Sequence, residues 1–140
     1  MGLSGHREER FLIKVKSQDQ EVTYQRVNTH IKGCGFIFPI PMPTDEVLCA
    51  MKLAAMFDRH KGLDFYDAIF LLSQSSPDFQ FLDQRCGISN MEELKLRFEK
   101  MITTIDLNVK MRDFEHLLMH KENSARILQV AGFFRNINQN

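Results

Sequence analysis

What this chain of 140 residues lacks narrows its function considerably. It has no excess charge of either sign, because 18 basic side chains stand against 18 acidic ones. No global field therefore draws it to nucleic acid, and any RNA contact has to be local. No apolar run approaches the ~20 residues of a membrane span, and the start, M-G-L-S-G-H-R-E-E-R, lacks the apolar core of a signal peptide. No membrane partner and a cytoplasmic location are expected. The three cysteines, Cys34, Cys49 and Cys86, are odd in number, far apart and without a C-x-x-C, which argues against a disulfide framework and a zinc knuckle. Reduced, mostly buried thiols are the expectation. There is also no Gly-rich phosphate loop and no G-x-S-x-G nucleophile turn. What remains is a chain with 44% hydrophobic content, enough for one domain with a core.

The most informative stretch runs from Thr44 to Gln74 and reads as helix, tight break, helix. In its first half Leu48, Met51 and Ala55 form one apolar stripe and Val47, Ala50, Ala54 and Phe57 another, so this helix is apolar over well more than half its circumference. Thr44 and Asp45 suit its cap, Arg59, His60 and Lys61 complement its carbonyl end, and Gly62 is expected to stop it. Lys52 is the anomaly, since it falls on the apolar stripe and must snorkel or meet an anion. Asp64 and Asp67, three apart in the first turn of the second helix, are the anions at hand across a short antiparallel connection. The spacing is equally compatible with a capping aspartate plus a structural Lys–Asp pair and with a functional site.

The run A-M-K-L-A-A-M-F-D-R-H-K-G-L-D-F-Y-D, from Ala50 to Asp67, resembles the pattern K-x-x-A-x-x-x-R-x-K-G-R-D-x-x-D of nucleotidyltransferase toxins of the AbiEii/AbiGii type, which belong to toxin–antitoxin and phage-defence systems. Lys52, Ala55, Arg59, Gly62, Asp64 and Asp67 all fall in register, while Leu63 stands where the family carries arginine. The resemblance implies that Lys52 binds nucleotide by holding triphosphate oxygens, that Asp64 is the catalytic acidic residue, and that Arg59 and Asp67 support the helix pair. It also implies Mg²⁺ and a nucleoside triphosphate as cofactors, RNA as a possible acceptor, and a cognate antitoxin as partner. Such enzymes hold the metal with a Gly-Ser turn followed by Asp-x-Asp, and this chain has no Asp-x-Asp. The expectation is therefore a C-terminal portion of such a toxin, cut from a longer chain or encoded as a truncated gene, inactive alone and with no metal ligands of its own. The alternative, from another class, is a non-catalytic module that binds an antitoxin or another partner.

The remaining segments predict an α+β fold in one compact domain, with a β-rich segment over 1–43 and a lobe of five or six helices over 44–140. Arg10 to Ser17 alternates as a half-buried strand, and Val22 to Ile31 has strand composition with weak alternation. Gly33-Cys34-Gly35 breaks the chain before Phe36 to Pro41, a short apolar strand that its prolines confine to an edge or a terminus. In the resembling family such strands extend the metal-bearing sheet, so one sheet edge is expected to be free for pairing with another chain, a dimer included. Short helices are expected from Phe79 to Gly87, Met91 to Thr104 (with a capping box at Ser89 and Asn90), Met111 to His120 and Ser124 to Asn136. His116 and His120 lie four apart without the H-E-x-x-H glutamate and read as surface residues.

Overall fold

A computed structural model describes residues 19–115, 127–129, 132, 134 and 136. Among these residues two antiparallel strands, β1 (Arg26–Gly33) and β2 (Phe36–Pro43), precede five helices, α1 (Asp45–Arg59), α2 (Gly62–Leu72), α3 (Phe79–Cys86), α4 (Met91–Ile102) and α5 (Leu107–Glu115). This is the α+β architecture expected from the patterning. The strand expected over 10–17 and the pair His116 and His120 lie outside the described residues.

Helix α1 is the hub, in contact with α2, α3 and β2, and α2 in turn meets α5. The buried residues of α1, Val47, Cys49, Ala50, Leu53, Ala54, Met56 and Phe57, occupy about half of its circumference, and Leu48, Met51 and Ala55 beside them are half-buried. Each large apolar side chain sealed there contributes roughly 1.5–3 kcal/mol of transfer free energy. Around α1 the core gathers Phe65, Ala68 and Leu72 from α2, Phe81 and Leu82 from α3, and Leu94, Phe98 and Met101 from α4. Ile127 and Phe134 complete it, and Phe134 stacks on Phe98 with ring centroids 4.0 Å apart. Ahead of the strands, Val22 and Tyr24 pack on the same core, Tyr24 edge-on to Phe81.

The helix ends follow local chemistry. The Thr44 and Asp78 side chains accept hydrogen bonds from Val47 and Phe81 N–H, and Asn90 accepts from Glu93 N–H while the Glu93 carboxylate accepts from Ser89 N–H. Gly87, at φ 67°, closes α3 in the left-handed region.

Three expectations need correction. The residue that stops α1 is His60, left-handed at φ 52°, with its N–H on the Met56 carbonyl, and Gly62 is instead the buried first residue of α2. A connection of only His60 and Lys61 demands the reversal one residue after Arg59, before Gly62 is reached. Helix α5 starts at Leu107 and not at Met111, because the Asp106 carboxylate accepts from the N–H groups of Asn108 and Val109. Of the three free thiols only Cys49 is buried, whereas Cys86 is half-buried and Cys34 is exposed on the hairpin turn.

Burial pushes the Cys49 thiol up to about 12, with the Ser75 carbonyl contact a lesser influence, and burial likewise raises Cys86, helped by the nearby Asp58 carboxylate. The thiolate is the reactive form, and a raised value keeps the thiol protonated at ordinary pH. A disulfide-exchange reagent at pH 8 should therefore titrate Cys34 first and Cys86 more slowly. Cys49 should react only after denaturation, and rapid labelling of Cys49 in the native protein would contradict this core.

Candidate functional site

The chemistry-bearing residues converge on the seam between α1 and α2. Because the connection is two residues long, the helices run antiparallel, and positions far apart in sequence become opposite partners. Lys52 Nζ reaches Asp67 Oδ2 at 2.8 Å, and Arg59 donates to Asp64 Oδ1 at the elbow. The four candidate site residues, Lys52, Arg59, Asp64 and Asp67, thus end in two ion pairs that tie one helix to the other.

The two pairs differ in environment. Asp64 is 4% exposed, the one charged residue among the buried ones described, and its Oδ2 has no hydrogen-bond partner among the described residues. A buried acceptor left unmet costs about 1–3 kcal/mol, which the guanidinium on Oδ1 and the N-terminal end of α2 offset. The position in the first turn supplies that second term directly. By contrast, the Lys52 and Asp67 side chains remain 36% and 27% exposed. Lys52 lies on the half-buried stripe of α1 and not its fully buried face, which lets the ammonium meet Asp67 and water together.

A pair of that exposure can exchange partners, and an anion arriving from solvent can compete with Asp67 for Lys52. Asp64 cannot respond in this way, being enclosed and held by Arg59. Magnesium needs several reachable oxygen ligands, and here one carboxylate is enclosed while the other is engaged by a lysine. Among the described residues no group of three or more His, Cys, Asp or Glu side chains converges as a metal site. Taken alone, these residues do not fit Mg²⁺.

A groove of about 700 Å³ lies elsewhere, between the end of α1 and α4, where it is lined by Phe57, His60, Leu96, Arg97 and Met101. Arg97 sits over the Phe57 ring there at 5.7 Å. None of Lys52, Arg59, Asp64 and Asp67 lines that groove, so this concavity and the candidate chemistry do not coincide.

A feature that residue patterning underrated is the hairpin. Its antiparallel register pairs Val27 with Met42, Thr29 with Ile40, Ile31 with Phe38 and Gly33 with Phe36. Side chains alternate across a strand, so these residues share one face that is apolar except at Thr29. That face is open, with Phe36 at 71% and Phe38 at 43% exposure, and Val27 and Ile31 are also exposed. The signal was present in V-N-T-H-I-K, whose alternation emerges once its frame is set by pairing with β2.

Comparison with known proteins finds no match among family models, curated proteins or solved structures. No helix among the described residues is long and apolar enough to cross a membrane.

The two ion pairs should separate in a stability measurement. Arg59→Met strands the enclosed Asp64 carboxylate and should cost about 1–3 kcal/mol in urea unfolding. Lys52→Met keeps the stem packing and leaves Asp67 hydrated, at a cost of about 1 kcal/mol or less. Equal losses would show that burial does not distinguish the pairs.

Proposed function

We propose that this chain is a non-catalytic, partner-binding lobe, derived from a nucleotidyltransferase toxin of the AbiEii type and built to dock another protein, an antitoxin being the partner that the resemblance implies. The observation that carries this reading is the open apolar face of the β1–β2 hairpin, from Val27 and Ile31 to Phe36 and Phe38. A two-stranded hairpin is marginal by itself in water and needs a covering layer to be stable. Exposed contiguous apolar surface of this kind marks protein interaction sites. The enclosure of Asp64 and the mutual neutralisation of Lys52 and Asp67 agree with a scaffold role for the helix pair.

A second reading is favoured by one specific observation, the partial exposure of the Lys52–Asp67 pair. On this reading the lobe belongs to a transferase whose metal-binding half lies upstream. Lys52 then binds triphosphate oxygens as a point charge, displacing Asp67. Asp64 would have to leave Arg59 before it contacted any ligand, and the chain alone transfers no nucleotide.

For the first reading, a photoactivatable cross-linking residue at Phe36 in the native host should trap a discrete protein that the same residue at exposed Leu96 does not. Purified together, the two should lose affinity about tenfold or more on Phe38→Ser. Identical adducts at both positions, or none at Phe36, would remove the reading. For the second, calorimetric titration with a nucleoside triphosphate and Mg²⁺ should show binding that Lys52→Ala abolishes while circular dichroism stays unchanged. Absence of binding to the natural sequence would leave Lys52 purely structural.

A further inference from the structure

The two free edges of the hairpin are not equivalent. Cys34 and Gly35, at φ 50° and φ 80°, form a two-residue turn with both residues left-handed, which makes Gly33 and Phe36 a pair that exchanges hydrogen bonds. Hydrogen-bonded and non-hydrogen-bonded pairs alternate from there. Ile31 with Phe38, Thr29 with Ile40 and Val27 with Met42 carry the ladder. The alternate positions turn their backbone groups outward, and on β2 these are Ile37, Pro39, Pro41 and Pro43. Three of the four have no N–H to offer, so the outer edge of β2 is closed to strand addition.

Among the described residues no strand pairs with the outer edge of β1. Its outward backbone groups belong to Arg26, Asn28, His30 and Lys32, each a complete donor and acceptor pair. The same four side chains form the polar face of β1, and Arg26 and Lys32 make it basic at both ends. A residue placed opposite each of them in an added strand projects its side chain to that same face.

Charge then selects the occupant. A second copy pairing antiparallel over the whole of β1 would set Arg26 of each copy against Lys32 of the other, a like-charge contact made twice. The alternating stretch at positions 10–17 of this chain carries Arg10, Lys14 and Lys16 on its polar side, again of the same sign. Resting on the partner-binding reading above, we infer that the outer edge of β1 receives an extended segment of another protein in which acidic and apolar residues alternate. Its carboxylates lie opposite Arg26 and Lys32, and its apolar side chains extend the surface of Val27, Ile31 and Phe38. Backbone pairing supplies the affinity, and the alternation supplies the register.

The test uses the full chain and two blocked eight-residue peptides at low salt, one alternating Glu with Val and one alternating Lys with Val, with affinity read by fluorescence anisotropy. The Glu–Val peptide should bind about tenfold tighter or better. His30→Pro removes an outward N–H that the hairpin ladder does not use and should weaken binding about tenfold or more. The double change Arg26→Glu and Lys32→Glu, which leaves the backbone edge intact, should reverse the preference between peptides. Equal binding of both peptides, no binding of either, or insensitivity to His30→Pro overturns the inference. So does a dimer in sedimentation that His30→Pro dissolves and the peptide does not displace. If a partner cross-links at Phe36 while the peptides fail, the partner-binding reading stands and only the edge assignment falls.

Discussion

The fold depends on one constraint, that one whole side of helix α1 cannot stay in water. With Val47, Cys49, Ala50, Leu53, Ala54, Met56 and Phe57 all enclosed, other elements must surround it, and α2, α3 and β2 do so. The polar consequences follow from the same burial. A helix so enclosed can carry cations along its seam only where anions meet them, and the two-residue elbow presents Asp64 and Asp67 at the right heights. The two ion pairs are thus a product of hydrophobic packing as much as of electrostatics. The exposed Lys52–Asp67 pair is worth little net energy, but with Arg59–Asp64 it fixes how far one helix can slide along the other.

The hairpin obeys the opposite logic. Each local rule is satisfied there: a left-handed two-residue turn, alternating faces, and prolines only where a strand can spare its N–H. The tertiary rule is not, since an apolar face remains open at Phe36, Phe38, Val27 and Ile31. Natural sequences are consistent across levels except where function intervenes, so a segment that is locally well formed yet uncovered among the described residues supports the partner-binding proposal. The closed edge of β2 sharpens this, because it shields one side of the hairpin from indiscriminate pairing and leaves the other usable.

Much of this was legible in the residues. The helix caps at Thr44 and Asn90, the buried side of α1 and the conflict posed by Lys52 all arise from local pattern, and the structure resolves Lys52 onto Asp67. What patterning missed depends on geometry between elements. Gly62 has the composition of a helix stop, yet the tight elbow puts the left-handed residue at His60, where the chain must turn. Asp106 caps α5 from a stretch whose apolar periodicity is too weak to announce a helix before Met111. The amphipathicity of β1 was obscured because Val22 and Tyr24, which pack on the helical core, precede it and shift the apparent frame. Only the pairing register separates the two segments.

The same dependence on geometry governs the candidate site. Spacing makes Asp64 and Asp67 look alike, three residues apart on one helix, and the sequence resemblance gives Asp64 the catalytic part. Burial distinguishes them in the other direction. Asp64 is enclosed and held by a guanidinium, and reaching a ligand would require breaking a charge-assisted bond in a poorly hydrated place. Asp67 faces partial solvent beside an ammonium that an incoming anion can take over at little cost. Any ligand chemistry at this seam therefore begins at Lys52 and Asp67, while Arg59 and Asp64 hold the elbow in place.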